Sequence, residues 1–192
     1  MKKFVISLLS VIFLCAAATA QVLVGMTDTT AYFPQLEGRR VAVLANHTAV
    51  ARFGDGAPGV AADAAVRLPG AASDGTIHLV DLLHGRGFDV TGIFSPEHGF
   101  RGTADAGEHV ASSVDAATGI PIRSLYDGNT KRPSDEAMRS FDVLVVDMQD
   151  VGLRFYTYYI TMLRMMDACA ESGRSVIVLD RPNPNGHHVD GP

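Results

Sequence analysis

Four short runs in this chain carry apolar residues on both alternating faces: residues 41–45, 88–94, 143–147 and 175–179. A strand with one wet face would alternate apolar with polar. Continuous apolar strands of this length belong to a parallel sheet covered on both sides. Helical segments are predicted between them. Residues 77–83 place Ile77, Val80 and Leu83 on one stripe, with Gly85 and Gly87 available to end the helix. Ser134 is suited to cap a short helix through Met138, with Asp135 and Glu136 in its first turn. The longest helix is predicted over 156–170, with Tyr159, Met162, Met166 and Cys169 on a broad apolar face and Gly173 at its C-terminal cap. Strand, helix, strand, repeated, predicts an α/β fold: a doubly wound parallel sheet with helices on both faces. The pattern leaves the spatial order of the strands open.

Two stretches fall outside it. Residues 51–75 are rich in Ala, Gly and Asp and read as a surface excursion with one helical turn near 61–68. Residues 102–131 form a long connection with an extended piece at 121–125, and connections of that length are often functional. The loop 182–188 leaves a strand with only 189–192 after it, where a crossover helix is due, so the chain is expected to be a fragment.

The first twenty residues read separately. Lys2 and Lys3 precede an almost wholly apolar run over 4–18, and Ala18-Thr19-Ala20 supplies small residues before Gln21. This predicts a signal peptide over 1–20, cut after Ala20, leaving 21–192 as one domain of an exported, periplasmic or secreted protein. The apolar run is shorter than the ~20 residues of a spanning helix, and bulky Leu14 before Cys15 disfavours lipid attachment. No stable membrane anchor is expected. Only Cys169 remains after cleavage, so packing rather than a disulfide must hold the domain. With Lys2 and Lys3 gone, 16 basic residues become 14 against 21 acidic ones, a net charge of −7. Such a chain is a poor partner for nucleic acid. It has no Trp, so any aromatic stacking platform must be Tyr or Phe.

In open parallel sheets, ligands sit outside the carboxyl ends of the strands. Each of those ends carries acids, amides or bases, whereas the strand bodies carry almost none: Asn46-His47-Thr48, Ser95-Pro96-Glu97-His98-Gly99 with Arg101, Asp147-Met148-Gln149-Asp150 with Arg154, and Asp180-Arg181-Pro182-Asn183. Turn satisfaction alone explains any one cluster about half the time; four together favour a polar cleft. Glu97 stands out, because Pro96 stiffens its loop and Gly99 and Gly102 let another group approach. Beside His98 and Arg101 it is placed for acid–base work, the alternative being an ion pair with Arg101 or Arg154. Asp147 at a strand tip is a candidate second carboxylate, as is Asp150, which is equally suited to cap a turn. Arg154 is suited to a bidentate carboxylate contact, and Tyr156 and Tyr158 either face a ligand or simply pack. Nucleotide loops, His-Glu-x-x-His and Gly-x-Ser-x-Gly are absent. His98, Asp147 and Asp150 lack compact ligand spacing, so no metal is expected, and His187-His188 reads as a solvated loop.

At these strand ends the chain resembles the exo-β-N-acetylmuramidase family NamZ, also called YbbC-like proteins. The resemblance rests on Ala45-Asn46-His47-Thr48, the block from Phe94 through Glu97-His98-Gly99 to Gly102, and Ala104-Asp105-Ala106-Gly107-Glu108. It continues through Thr118-Gly119-Ile120-Pro121, Ser124-Leu125-Tyr126, Asp147-Met148-Gln149-Asp150-Val151-Gly152, Arg154-Phe155-Tyr156-Thr157-Tyr158 and 179–186. Residues 51–75 look like an insertion. The resemblance implies a Rossmann-like N-terminal domain of a two-domain enzyme, with the cleft between domains and the C-terminal domain missing here. It implies release of terminal N-acetylmuramic acid from the non-reducing ends of peptidoglycan fragments, in cell-wall turnover and recycling, without metal or cofactor. The family's proposed catalytic glutamate falls on Glu97; from residue chemistry, Asp147 or Asp150 is expected to support the transition state or activate water. The lactyl carboxylate of muramic acid gives Arg101, Arg154 or Arg181 a task. Asn46, His98, Gln149, Tyr156, Tyr158 and Asn183 complete the expected substrate contacts. A non-catalytic glycan-binding module is the main alternative, and a metal-dependent hydrolase the lesser one.

Overall fold

The computed structural model of the chain describes residues 23–53, 68–100, 112–126 and 132–188. The expected signal peptide, the helical turn over 61–67 and Arg101 lie outside the described residues.

A six-stranded sheet runs in the order β5-β6-β4-β1-β7-β8. Its strands are β1 (Arg40–Ala45), β4 (Asp89–Ser95), β5 (Ser113–Val114), β6 (Pro121–Ser124), β7 (Val143–Asp147) and β8 (Ser175–Val178). All neighbours pair in parallel except β5, a two-residue edge piece antiparallel to β6. The five parallel strands, taken in chain order, sit in space as 3-2-1-4-5. This is the Rossmann-like arrangement. The extended piece expected at 121–125 is thus a member of the sheet, beside β4.

Both faces are covered, which is why β1 is apolar from Val41 to Ala45 and β7 from Val143 to Val146. Val41, Val43, Ala45, Val143 and Val145 face α1 (Thr29–Leu36) and α2 (Leu79–Gly85), against Tyr32, Leu36, Leu79, Leu82 and Leu83. Ala42, Leu44, Leu144 and Val146 face α3 (Asp135–Arg139) and α4 (Tyr158–Glu171), against Met138, Met165, Ala168 and Cys169. Residues 175–179 were expected to be buried, yet Val176 and Ile177 are half-buried and Val178 is exposed. The reason is position: β8 is an edge, paired only with β7 among the described residues.

Helix ends follow local chemistry. Ser134 accepts from the Ala137 N–H, the cap expected there. Gly87 and Gly173 adopt φ of 82° and 64° after α2 and α4. Each completes a Schellman motif, with Phe88 N–H bonded to Leu83 C=O and Arg174 N–H to Cys169 C=O. Each motif reverses the chain into the next parallel strand. The helix expected over 77–83 begins instead at Leu79. Ile77 and His78 belong to β3 (Thr76–His78), which pairs antiparallel with β2 (Val50–Arg52). His78 sets the boundary, its Nδ1 accepting from the Val80 N–H as an N-cap. The stretch 51–75 is therefore bracketed by the antiparallel pair β2 and β3. Helix α1 has no counterpart in the sequence reading; it carries Pro34 inside and lacks an N-terminal side-chain cap.

Candidate active site

Strand order reverses at β1: the chain steps first to β4 and later returns to β7 on the other side. The crevice outside the carboxyl ends of β1 and β7 is therefore the topological switch point. Register brings four ends to one rim, with Ala45 beside Asp147, Leu44 beside Phe94 and Val146 beside Val178.

Glu97 stands on this rim in a tight turn. The Gly99 N–H donates to the Pro96 carbonyl at 3.1 Å, and His98 takes φ 71°, the only non-glycine left-handed residue among those described. A left-handed backbone costs a side-chain-bearing residue roughly 1–2 kcal/mol, and such strain collects at functional sites. The half-buried Glu97 side chain crosses to the start of α4, where Thr157 Oγ1 donates to its Oε2 at 2.8 Å. Tyr156 and Tyr158 pack edge to face beside it, centroids 4.6 Å apart. Burial above all, then Tyr156 and the Glu97 charge, push the Tyr158 phenol up to about 12, against the pull of the Asn46 amide. The phenol is therefore a neutral hydrogen-bond donor throughout the physiological range. Asn46 is fully buried: its Oδ1 accepts from Thr48 N–H and Oγ1, and its carbonyl meets His78 Nε2 at 2.9 Å.

Asp147 is brought to Arg181 rather than to Glu97. Both its oxygens accept from that guanidinium, Nε on Oδ1 and Nη2 on Oδ2, the latter at 3.0 Å. The carboxylate is fully buried and the arginine side chain only 8% exposed. Strand alternation turns Asp147 toward the α1 and α2 face, where its charge is felt by Tyr32, while Asn46 points to the other face. Burial raises the Asp147 pKa and Arg181 opposes the rise. Arg181 Nη2 also donates to the Val50 carbonyl at 3.0 Å, so the pair ties β7, β8 and β2 together.

Gln149 and Asp150 join the loops. The Gln149 N–H donates to Thr48 Oγ1 at 3.0 Å, and its Nε2 donates to the carbonyls of Asp150 and Pro182. Asp150 Oδ1 accepts from the Gly152 N–H at 2.7 Å, the turn-capping role open to it in the sequence. Its Oδ2 is buried with no partner among the described residues. Gly152 takes φ 73°, and a Cβ there would come within 2.4 Å of Asn183 Nδ2. Gly152→Ala should therefore lower stability by about 1–2 kcal/mol, and a urea midpoint equal to wild type would show that this close approach is dispensable. Arg154 is exposed, its carbonyl accepting from the Tyr159 hydroxyl. Phe155 beside it is 83% exposed.

Among the described residues, two cavities flank the rim. One of about 140 Å³ lies between Asp150, Tyr158, Met162, Asp180 and Arg181, and one of about 500 Å³ lies between β6 and α3 around Arg123 and Ser134. The first is below the ~300 Å³ typical of ligand pockets. Glu97 lines neither of the two. Sequence reasoning missed Thr157, although it sits between two tyrosines that were singled out. A Thr before a helix reads as an N-cap, and its partner here is 60 residues away, beyond any local pattern.

Residues 59–192 match the family described as exo-beta-N-acetylmuramidase NamZ, N-terminal. The match begins inside 51–75. Over 115 residues the chain is 50% identical to the peptidoglycan beta-N-acetylmuramidase NamZ of Bacillus subtilis (strain 168), covering 59% of this chain and 28% of that protein. A crystal structure of a DUF1343 family protein from Bacteroides fragilis NCTC 9343 has a TM-score of 0.66 at 46% identity, covering 90% of this chain and 38% of that one. A second from the same organism has a TM-score of 0.64 at 34% identity, covering 85% and 35%. The chain thus spans between 28% and 38% of the length of these relatives.

Proposed function

Because the chain belongs to the NamZ exo-β-N-acetylmuramidase family through that family's N-terminal region, we propose that it forms part of a glycosidase releasing N-acetylmuramic acid from non-reducing ends of peptidoglycan fragments. The observation that carries this reading is the Glu97 carboxyl, held on a strained turn at the sheet's switch-point rim and bonded to Thr157. Glu97 is the general acid. It passes its proton to the glycosidic oxygen as the bond from that oxygen to the anomeric carbon breaks, while water forms the new bond. Tyr158, a neutral donor beside it, supports the charge that moves. Of the two candidate second carboxylates, Asp150 suits water activation better, since Arg181 occupies both oxygens of Asp147.

Arg154 and Phe155 form an exposed cationic and aromatic pair on the loop into α4, suited to the lactyl carboxylate and a sugar face. The remaining length of the relatives supplies the cleft's other wall, and export with cleavage after Ala20 brings the enzyme to its substrate.

The test is direct. Full-length protein is incubated with a chromogenic N-acetylmuramic acid glycoside and, separately, with the matching N-acetylglucosamine glycoside, which differs only by the lactyl ether. The muramic substrate should turn over with kcat/KM at least ~100-fold higher, as a site built to pair one charged group discriminates. Equal cleavage of both would remove the muramic specificity. Binding of peptidoglycan fragments without release of any sugar would favour a glycan-binding module instead.

A further inference from the structure

We propose that Thr157 is a positioning residue for the Glu97 carboxyl, selecting the oxygen and the angle from which the proton is delivered; this rests on the reading of Glu97 as the acid. Thr157 is the N-cap residue of the 14-residue helix α4, the place where a threonine hydroxyl ordinarily accepts from its own helix's N–H groups. It does not do so. Its backbone takes φ −80° and ψ −12°, no side-chain cap bond forms, and Oγ1 donates to Glu97 Oε2 at 2.8 Å. A local stabilising bond has been given up for one across the sheet edge.

Thr157 is itself well anchored. Its carbonyl accepts from both the N–H and the Oγ1 of Thr161, each at 3.0 Å. Thr161 Oγ1 in turn meets the Tyr126 hydroxyl at 3.0 Å, tying α4 to the loop after β6. A β-branched side chain on such a backbone has few rotamers to choose from. Glu97 has the opposite problem: its terminal torsion is broad and nearly two-fold, so its two oxygens exchange readily. A hydroxyl donating to Oε2 breaks that symmetry. In the acid form Oε2 is then the carbonyl-like acceptor, and the proton rides on Oε1. Small displacements of a catalytic group cost large factors in rate.

The experiment uses the full-length protein and two muramic acid glycosides, one with a sugar leaving group and one with 4-nitrophenolate, which departs without protonation. Thr157→Val keeps the shape and removes the hydroxyl. On the sugar leaving group kcat should fall by about 10–100-fold with KM within roughly threefold, while the nitrophenyl substrate stays close to wild type. Thr157→Ser should restore the sugar-leaving activity. Equal losses on both substrates would overturn the proposal, as would wild-type kcat in Thr157→Val. So would a Thr157→Val melting point far below wild type, which would make the contact structural. Glu97→Gln run alongside separates the two claims. If it keeps full activity on the sugar leaving group, the acid assignment itself fails. If it collapses while Thr157→Val matches wild type, only the positioning role is lost.

Discussion

Glu97→Gln should cut release of N-acetylmuramic acid from a sugar leaving group by about 100- to 10,000-fold, the range that general acid catalysis contributes. Gln keeps the size of Glu and an oxygen for the Thr157 hydroxyl, so the turn around His98 has no reason to move. It has no proton to give. Melting temperature should stay within a few degrees of wild type, and KM should change little, because the loss falls on the transition state. Measuring kcat and KM together with a thermal melt decides it: turnover near wild type would take Glu97 out of the chemistry. A parallel fall in stability would mean that the carboxylate was holding the loop.

The largest effect on folding is expected at Asp147 and Arg181. Arg181→Met leaves a fully buried carboxylate without its partner. Breaking a buried pair from one side costs about 3–5 kcal/mol, against a total stability of roughly 5–15 kcal/mol for a domain. At about 2–4 °C per kcal/mol for a chain of this size, the melting temperature should drop by roughly 6–20 °C. Combining it with Asp147→Leu should recover most of the loss, since two apolar side chains do not need one another's charge. Urea unfolding of the three proteins tests this. If Arg181→Met unfolds at the wild-type midpoint, the pair is not what ties β7, β8 and β2 together. If the double variant is as unstable as the single one, the cost lies in the lost Val50 contact and not in the stranded carboxylate.

Much of the framework was legible before any coordinates. The apolar runs at 41–45 and 143–147 marked parallel strands because burial on two faces leaves no room for alternation. Gly87 and Gly173 announced helix ends because a left-handed residue is needed to turn the chain there. Ser134 announced a helix start. The exposure of β8 was not legible, since an edge strand differs from an interior one by its missing neighbour and not by its composition. Nor was α1, whose Pro34 argues against a helix when only local preference is weighed.

The polar residues divide along the same line. Sequence alone established that acids, amides and arginines gather at the carboxyl ends of the strands, and hence that parallel strands carry them to one rim. It also singled out Glu97, through the Pro and Gly that frame its turn. Only the tertiary structure decided their partners: Asp147 with Arg181 on one face, Glu97 with Thr157 near Tyr158 on the other. Alternation along a strand says that neighbours point in opposite directions. Which of two opposite faces meets which loop depends on strand order and on contacts 34 and 60 residues apart, which no local spacing records.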